Sequence, residues 1–268
     1  MLSTAFWRRN LAAFRLGMLS SLEYRMNFVV EALALPLLSA FVECVFWMGI
    51  FQASGSKMIA GFDEANYLSY MLWAGFIGRS TWAYDFRMME DINSGAINGF
   101  LVRPISFFEH YLSDFLGYKC LMLGTGLLVL IPIQLFFNPD LSFFRVAGAL
   151  VLLMAYFVFT HVLSFCLSVL AFFFGRIQNL MVTKAFLLWV LSGDILPLNV
   201  YPSPYKEVLL ALPFSCGVYM PIGYIVGRVD TPLLLQGLAS VVLGTAVLGV
   251  VAKLLWTKAL KTYSGTGA

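Results

Sequence analysis

Long apolar runs separated by short polar joints organise the chain. Residues 27–51, 67–84, 107–137 and 146–174 form the first four runs, and the fourth contains no Asp, Glu, Lys or Arg. A weaker fifth run, 180–196, contains Lys184 and Asp194, and a sixth, 233–256, is uncharged as far as Ala252. A hydrocarbon core of about 30 Å takes about 20 helical residues per crossing, so the pattern predicts six transmembrane helices with both termini on one side. Gly55, Lys57, Gly61, Asp63 and Glu64 make the first joint, and Asn138-Pro139-Asp140 is a turn signal between the third and fourth runs. Ahead of the first run, Trp7, Leu11, Phe14, Met18 and Leu22 recur every three or four residues on one helical face, with Arg8 and Arg15 off it. Residues 1–26 are therefore read as a helix that either lies in the membrane interface or packs on protein. Arg8, Arg9 and Arg15 interrupt this stretch, so a cleaved signal peptide is not expected.

Composition agrees with the pattern. The chain is 60% hydrophobic and 12% charged, against roughly 45–50% and 25% in soluble domains, and its mean hydropathy is +0.85. These values point to an all-α integral membrane protein, a single transmembrane domain over 1–268 with no room for a large soluble module. The net charge of +3 is carried by scattered residues, which gives no nucleic-acid surface. The scatter does set an orientation. With the N-terminus in the cytoplasm, Arg8, Arg9, Arg15, Arg25, Arg79, Arg87, Arg103, Arg176, Lys184, Lys253, Lys258 and Lys261 fall on the cytoplasmic side. Only Lys57, Arg145, Lys206 and Arg228 fall outside, and Lys119 lies within or near the third run. No internal duplication is evident, so a two-fold transport path needs a second subunit. Cys44, Cys120, Cys166 and Cys216 lack metal or redox spacing and read as small core residues.

No catalytic motif stands out. His110 and His161 are on different segments, HExxH and GxSxG are absent, and there is no GxxxxGK[ST] phosphate loop. An interhelical hydrogen bond is the expected role of His161. Among ionisable groups inside the runs, Glu43 lies past the middle of the first, where it can stay protonated, pair with Lys119 at a matching depth, or face a polar seam between subunits. An ion path through Glu43, Lys119 or Asp194 would suit a secondary transporter or channel, the competing reading. Residues 85–104 are too charged to cross lipid and too apolar for a free linker. Phe86, Met89, Ile92, Ile97, Phe100 and Leu101 give them a discontinuous apolar face for a partner, Gly95 and Gly99 allow a bend, and Pro104 turns the chain into the third run. Residues 197–232, with Pro197, Pro202, Pro213 and Pro221, are interrupted too often to form one straight helix.

Three groups of residues together resemble a known family. Ile92-x-x-Gly95-x-Ile97-x-x-x-Leu101-x-Arg103-Pro104-Ile105-Ser106 is similar to the cytoplasmic loop of type-2 ATP-binding-cassette (ABC) exporter permeases, especially their six-span bacterial subgroup. Ser192-Gly193-Asp194-Ile195-Leu196-Pro197, followed by Tyr201-Pro202, Leu212-Pro213-Phe214, Pro221 and Gly227-Arg228, resembles that family's external re-entrant region before the last span. Tyr24-Arg25 before the first run also fits. The resemblance implies an exporter subunit in the bacterial plasma membrane, working as a dimer with an identical or sister permease. It implies a coupling helix formed around Ile92, Gly95, Ile97, Leu101, Arg103 and Pro104, and separate cytoplasmic ATP-binding subunits that hold ATP and Mg. Closure of those subunits would move the coupling helix and rearrange the first, second and fifth spans.

Overall fold

The computed structural model describes residues 4–56, 58–59, 61–83, 85–137 and 141–263, so the 138–140 turn signal and Lys57 lie outside the described residues. In chain order the helices are α1 (Thr4–Glu23), α2 (Arg25–Val29), α3 (Leu35–Ser54), α4 (Glu64–Ser80), α5 (Asp85–Asn93), α6 (Asn98–Leu101), α7 (Phe107–Phe137), α8 (Phe143–Val169), α9 (Ala171–Phe174), α10 (Gln178–Leu191), α11 (Tyr205–Ala211), α12 (Tyr219–Ile225) and α13 (Thr231–Thr262). Among the described residues, four apolar helical stretches are long enough to cross a membrane, Arg25–Ser54, Phe107–Leu135, Phe143–Phe174 and Thr231–Thr262. They correspond to the first, third, fourth and sixth runs.

The first stretch passes from α2 into α3 through a π turn at Val30–Ala34, immediately ahead of Pro36. Proline has no N–H to donate to the helix ladder, and the ladder shifts to the wider spacing in the turn ahead of it. Gly55 ends α3 in the left-handed conformation, at φ 62°, and the joint then forms a short antiparallel pair, Met58–Ile59 with Phe62–Asp63. α4 has 17 residues and α10 has 14, or about 25 and 21 Å at 1.5 Å per residue, both short of the roughly 30 Å core. The short end of α10 is completed by protein. Ser192 O accepts the Tyr219 backbone N–H at 2.9 Å, and Gly193 O accepts the Tyr70 hydroxyl at 2.9 Å. Irregular backbone at this depth is tolerable where such partners replace water.

α4 and α8 form the centre. From Tyr67 to Ser80 most of α4 is buried, and its Tyr70, Trp73 and Phe76 join Phe115, Tyr156 and Phe157 in one aromatic core. By contrast, Leu38, Phe41 and Phe46 on α3, Phe186 on α10, and Leu243 and Leu254 on α13 point outward. Water would penalise that arrangement and lipid favours it.

α1 packs along α7 by its small residues. A Cβ on Gly17 would come within 2.0 Å of Asp114 O, and one on Gly117 within 2.0 Å of Phe14 O. Ala13, Gly17 and Ser21 are buried in this contact, whereas Trp7, Leu11 and Leu22 of the predicted stripe are exposed. The small-residue face thus packs on protein, and those large apolar residues of the predicted stripe are left uncovered.

Residues 197–232 break into a 3-10 turn at Leu198–Val200, α11, a second 3-10 turn at Pro213–Cys216, and α12. α12 is buried along its length against α8, α4 and α13. Asp230 then caps α13 by accepting the Leu233 N–H at 3.1 Å, with Pro232 in the first turn.

Candidate functional site

The polar segment after α4 is a built object rather than a loose connector. Along α5 the inward positions are Asp85, Met88, Met89 and Ile92. Gly95, at φ 78°, turns the chain, and Ile97 N–H closes the turn on Asp91 O at 3.0 Å. Of the two glycines only Gly95 requires the absence of a side chain, since a Cβ on Gly99 would meet nothing nearer than the Arg103 guanidinium, at an ordinary contact distance of 3.9 Å. Ser106 and Glu109 then cap α7 reciprocally, Ser106 N–H to Glu109 Oε2 at 3.3 Å and Glu109 N–H to Ser106 Oγ at 3.2 Å.

Burial corrects the expected apolar face. Met89, Ile92 and Ile97 point inward and pack with Phe107, Tyr111, Phe165 and Met181, so they anchor the segment and cannot greet a partner. What remains outside is Phe86, Leu101, Val102 (86% exposed), Arg103 and Pro104. The Arg103 guanidinium lies 5.4 Å over the Phe100 ring. Trp256 joins this rim in lining a groove of about 430 Å³.

Polar ties hold the segment from several sides. Lys184 on α10 forms an ion pair with Asp85 and also donates to Ser164 Oγ on α8 at 2.9 Å, while Ser168 Oγ donates to Asp85 O at 3.3 Å. Arg87 pairs with Asp114 on α7 at 3.3 Å, and the Tyr111 hydroxyl donates to Asp91. Tyr263, just past α13, donates to Asn98 Oδ1 at 2.9 Å. The ties therefore reach the third, fourth and fifth runs and the residue just past α13, and of these runs only the fifth was expected to move with this segment. Sequence reasoning passed over Asp85 and treated Lys184 as a flaw in its run. A signal existed, because Leu180, Met181, Leu187 and Leu188 leave Lys184 no acid at helical spacing, so its partner had to be tertiary.

The remaining predicted residues are distributed differently from expectation. Glu43 and Lys119 do not pair. Lys119 faces Glu31 and Arg79, whereas Glu43 acts on Tyr67 and Asp194, and its Oε2 is buried without a hydrogen-bond partner. Matching depth was misleading because α7 packs on α1 and α4 rather than on α3. His161 is directed at α7, where the Phe108 backbone acts on its ring, although neither ring nitrogen has a partner within ordinary hydrogen-bond geometry, and the ring sits 5.0 Å from Phe108 and 5.9 Å from Phe115. Asp194 lies over Gly78 of α4, its carboxylate oxygens 2.3 Å from where a Cβ on that glycine would stand. Pro197 and Pro221 are buried, Pro213 and Phe214 half-buried, and Pro202 exposed.

Two cavities flank α4. One of about 950 Å³ is lined by Met48, Phe51, Leu68 and Leu72 with the polar Ser69 and Gln134. Gln134 is fixed there by a bond to Ser69 Oγ at 3.2 Å and by the Trp73 indole N–H at 3.2 Å. Asp63 at its rim pairs with Arg228 at 3.1 Å. The Asn66 side chain's hydrogen bond, helped by Arg228, holds the Asp63 carboxyl below its usual range. The other cavity, about 640 Å³, lies under the end of α1 and contains Glu31, Arg79, Arg87, Tyr118 and Lys119.

Among known proteins, a family model described as "ABC-2 family transporter protein" matches residues 37–267. No curated protein matches the chain.

Proposed function

Because the chain belongs to the ABC-2 transporter family, and is therefore the membrane transport component of an ABC transporter rather than its ATPase, we propose that it forms the path of an ATP-driven exporter and receives its drive through residues 85–106. ABC ATP-binding subunits, the partners that the family implies, would hold ATP and Mg and dock on the exposed rim of Phe86 and Leu101 to Pro104. The observation that carries this reading is the combination of an outward rim with an inward anchor: Leu101, Val102, Arg103 and Pro104 are exposed while Ile92 and Ile97 are buried and polar bonds reach α7, α8 and α10. Six crossings with cytoplasmic termini, in the plasma membrane of a bacterium, put that rim in reach of cytoplasmic partners, as the distribution of Lys and Arg supports. A second permease chain, identical or sister, completes the path, since no internal duplication supplies a second half within this chain. Motion follows only if nucleotide stabilises one of two arrangements over the other.

Cysteines placed singly at Leu101, Val102 and Arg103 are expected to crosslink to a co-expressed ATP-binding subunit. The same change at Ile97 should give no adduct. An active complex with no adduct anywhere on the rim would overturn the docking assignment.

A further inference from the structure

The cavity under the end of α1 has an unusual charge balance for a membrane-embedded site. Three cations, Arg79, Arg87 and Lys119, line it against one carboxylate, Glu31. Glu31 already accepts the Tyr118 hydroxyl at 3.0 Å, and Arg87 shares Asp114 while its side chain remains 57% exposed. Arg79 lies 4.8 Å over Trp82. Lys119 is 3% exposed; the rings of Phe115 and Tyr118, at 5.3 and 5.1 Å, are its contacts, and among the described residues it makes no hydrogen bond or ion pair. Its electrostatic neighbours are Glu31, which favours its charge, and Arg79, which opposes it. Like charges held together beside about 640 Å³ of open space are costly unless an anion joins them.

We propose that this cavity binds the phosphate group of an anionic ligand, with Lys119 as the inner cation, Arg79 and Arg87 at the mouth, and Tyr24 and Asn27 as neutral donors on the wall. Charge-assisted bonds to phosphate oxygens suit both guanidinium and ammonium groups. Phe28 and Met122 form the apolar part of the lining, together with the exposed Trp82, which matches a phosphate carried on a hydrocarbon tail. Basic pockets between helices on the cytoplasmic side take anionic headgroups by this chemistry. The lipid source rests on the cytoplasmic placement of α1 proposed above; a soluble phosphate would not need it. Because Arg87 belongs to α5, a bound phosphate competes with Asp114 for it, and the site thereby touches the docking segment.

The test uses the full chain, purified in detergent and freed of lipid, with native mass spectrometry reading the binding of phosphatidylglycerol, phosphatidylcholine and inorganic phosphate. Wild type should prefer phosphatidylglycerol over phosphatidylcholine by about tenfold or more. Lys119→Met and Arg79→Gln should each lose most of that preference, and Lys119→Arg should keep it. If inorganic phosphate binds with the same dependence on Lys119 and displaces phosphatidylglycerol, the site accepts a free phosphate as well. Equal binding of the two lipids together with no phosphate binding, or a preference that survives in both Lys119→Met and Arg79→Gln, would overturn the proposal. Arg79 is at the mouth, so its variant remains informative if Lys119→Met does not fold. Failure of cytoplasmic placement would show separately, in terminal labelling.

Discussion

Lys184→Met should loosen the protein more than any neighbouring change on α10. The side chains of Lys184 and Asp85 are 11% and 6% exposed, and the second carboxylate oxygen of Asp85 is already buried without a partner. Methionine fills much of the lysine volume, so packing is largely kept. What is lost is the only cation paired with Asp85 among the described residues. Removing one partner of a buried pair costs about 3–5 kcal/mol, whereas replacing both with apolar groups is often neutral. At roughly 2–4 °C per kcal/mol for a large domain, the single variant should melt roughly 6–20 °C below wild type. Lys184→Met combined with Asp85→Leu should recover most of that. Thermal unfolding in detergent, followed by tryptophan fluorescence, measures both. The crosslinking yield at Val102 should fall in the single variant too, since α5 would lose its hold on α10. A single variant that melts with wild type, or a double variant no better than the single, refutes the claim that this pair is a working tie.

Three further outcomes are expected. In a background without Cys44, Cys120, Cys166 and Cys216, a cysteine at Thr4 or Thr262 should be shielded from an impermeant reagent in intact cells while one at Ser203 labels; external labelling at either end breaks the six-crossing topology. Gly17→Leu should separate α1 from α7, because even a Cβ there would stand 2.0 Å from Asp114 O; overpacking of this kind costs about 1–3 kcal/mol or more, and protease sensitivity of α1 equal to wild type would count against the contact. Asp63, whose carboxyl is held below its ordinary 3.8 by Asn66 and then Arg228, stabilises the native state above that value and loses the contribution as pH falls through its lowered pKa. Melting temperature should therefore drop less between pH 5 and about pH 3 in Asp63→Asn than in wild type, and identical slopes would remove Asp63 from the account.

How much of this was legible in sequence depends on which property is asked for. Apolar runs located α3, α7, α8 and α13 because a 20-residue hydrophobic stretch is a local property. α10 is shorter than its run because its end is completed by tertiary bonds such as Tyr70 to Gly193 O. Which face of a helix goes inward was less legible. In α1 the conspicuous large residues lost the contact to Ala13, Gly17 and Ser21, since only small residues let two helix backbones approach. Pairing was the least legible of all. Depth in a run is one coordinate, and Glu43 with Lys119 satisfied it without being neighbours, while Asp85 and Lys184, 99 residues apart, met with no periodicity to announce them.

Those unannounced ties bear on how a push at the rim would travel. Met88, Met89, Ile92 and Ile97 bury one side of residues 85–104 in the same cluster as Phe107, Tyr111, Phe165 and Met181, and Asp85, Arg87 and Asp91 bond to α10, α7 and α7 again. A segment pinned by apolar burial and by charge at both faces does not bend easily about Gly95. Displacement of Leu101 to Pro104 would therefore be carried first into α7, through the short Ser106–Glu109 cap, and into α8 and α10 through Lys184. α4 receives it at second hand, across its contacts with α7. On this reading the first and second runs follow the third rather than lead, and the phosphate site at Arg87 and Lys119 sits on the route between them.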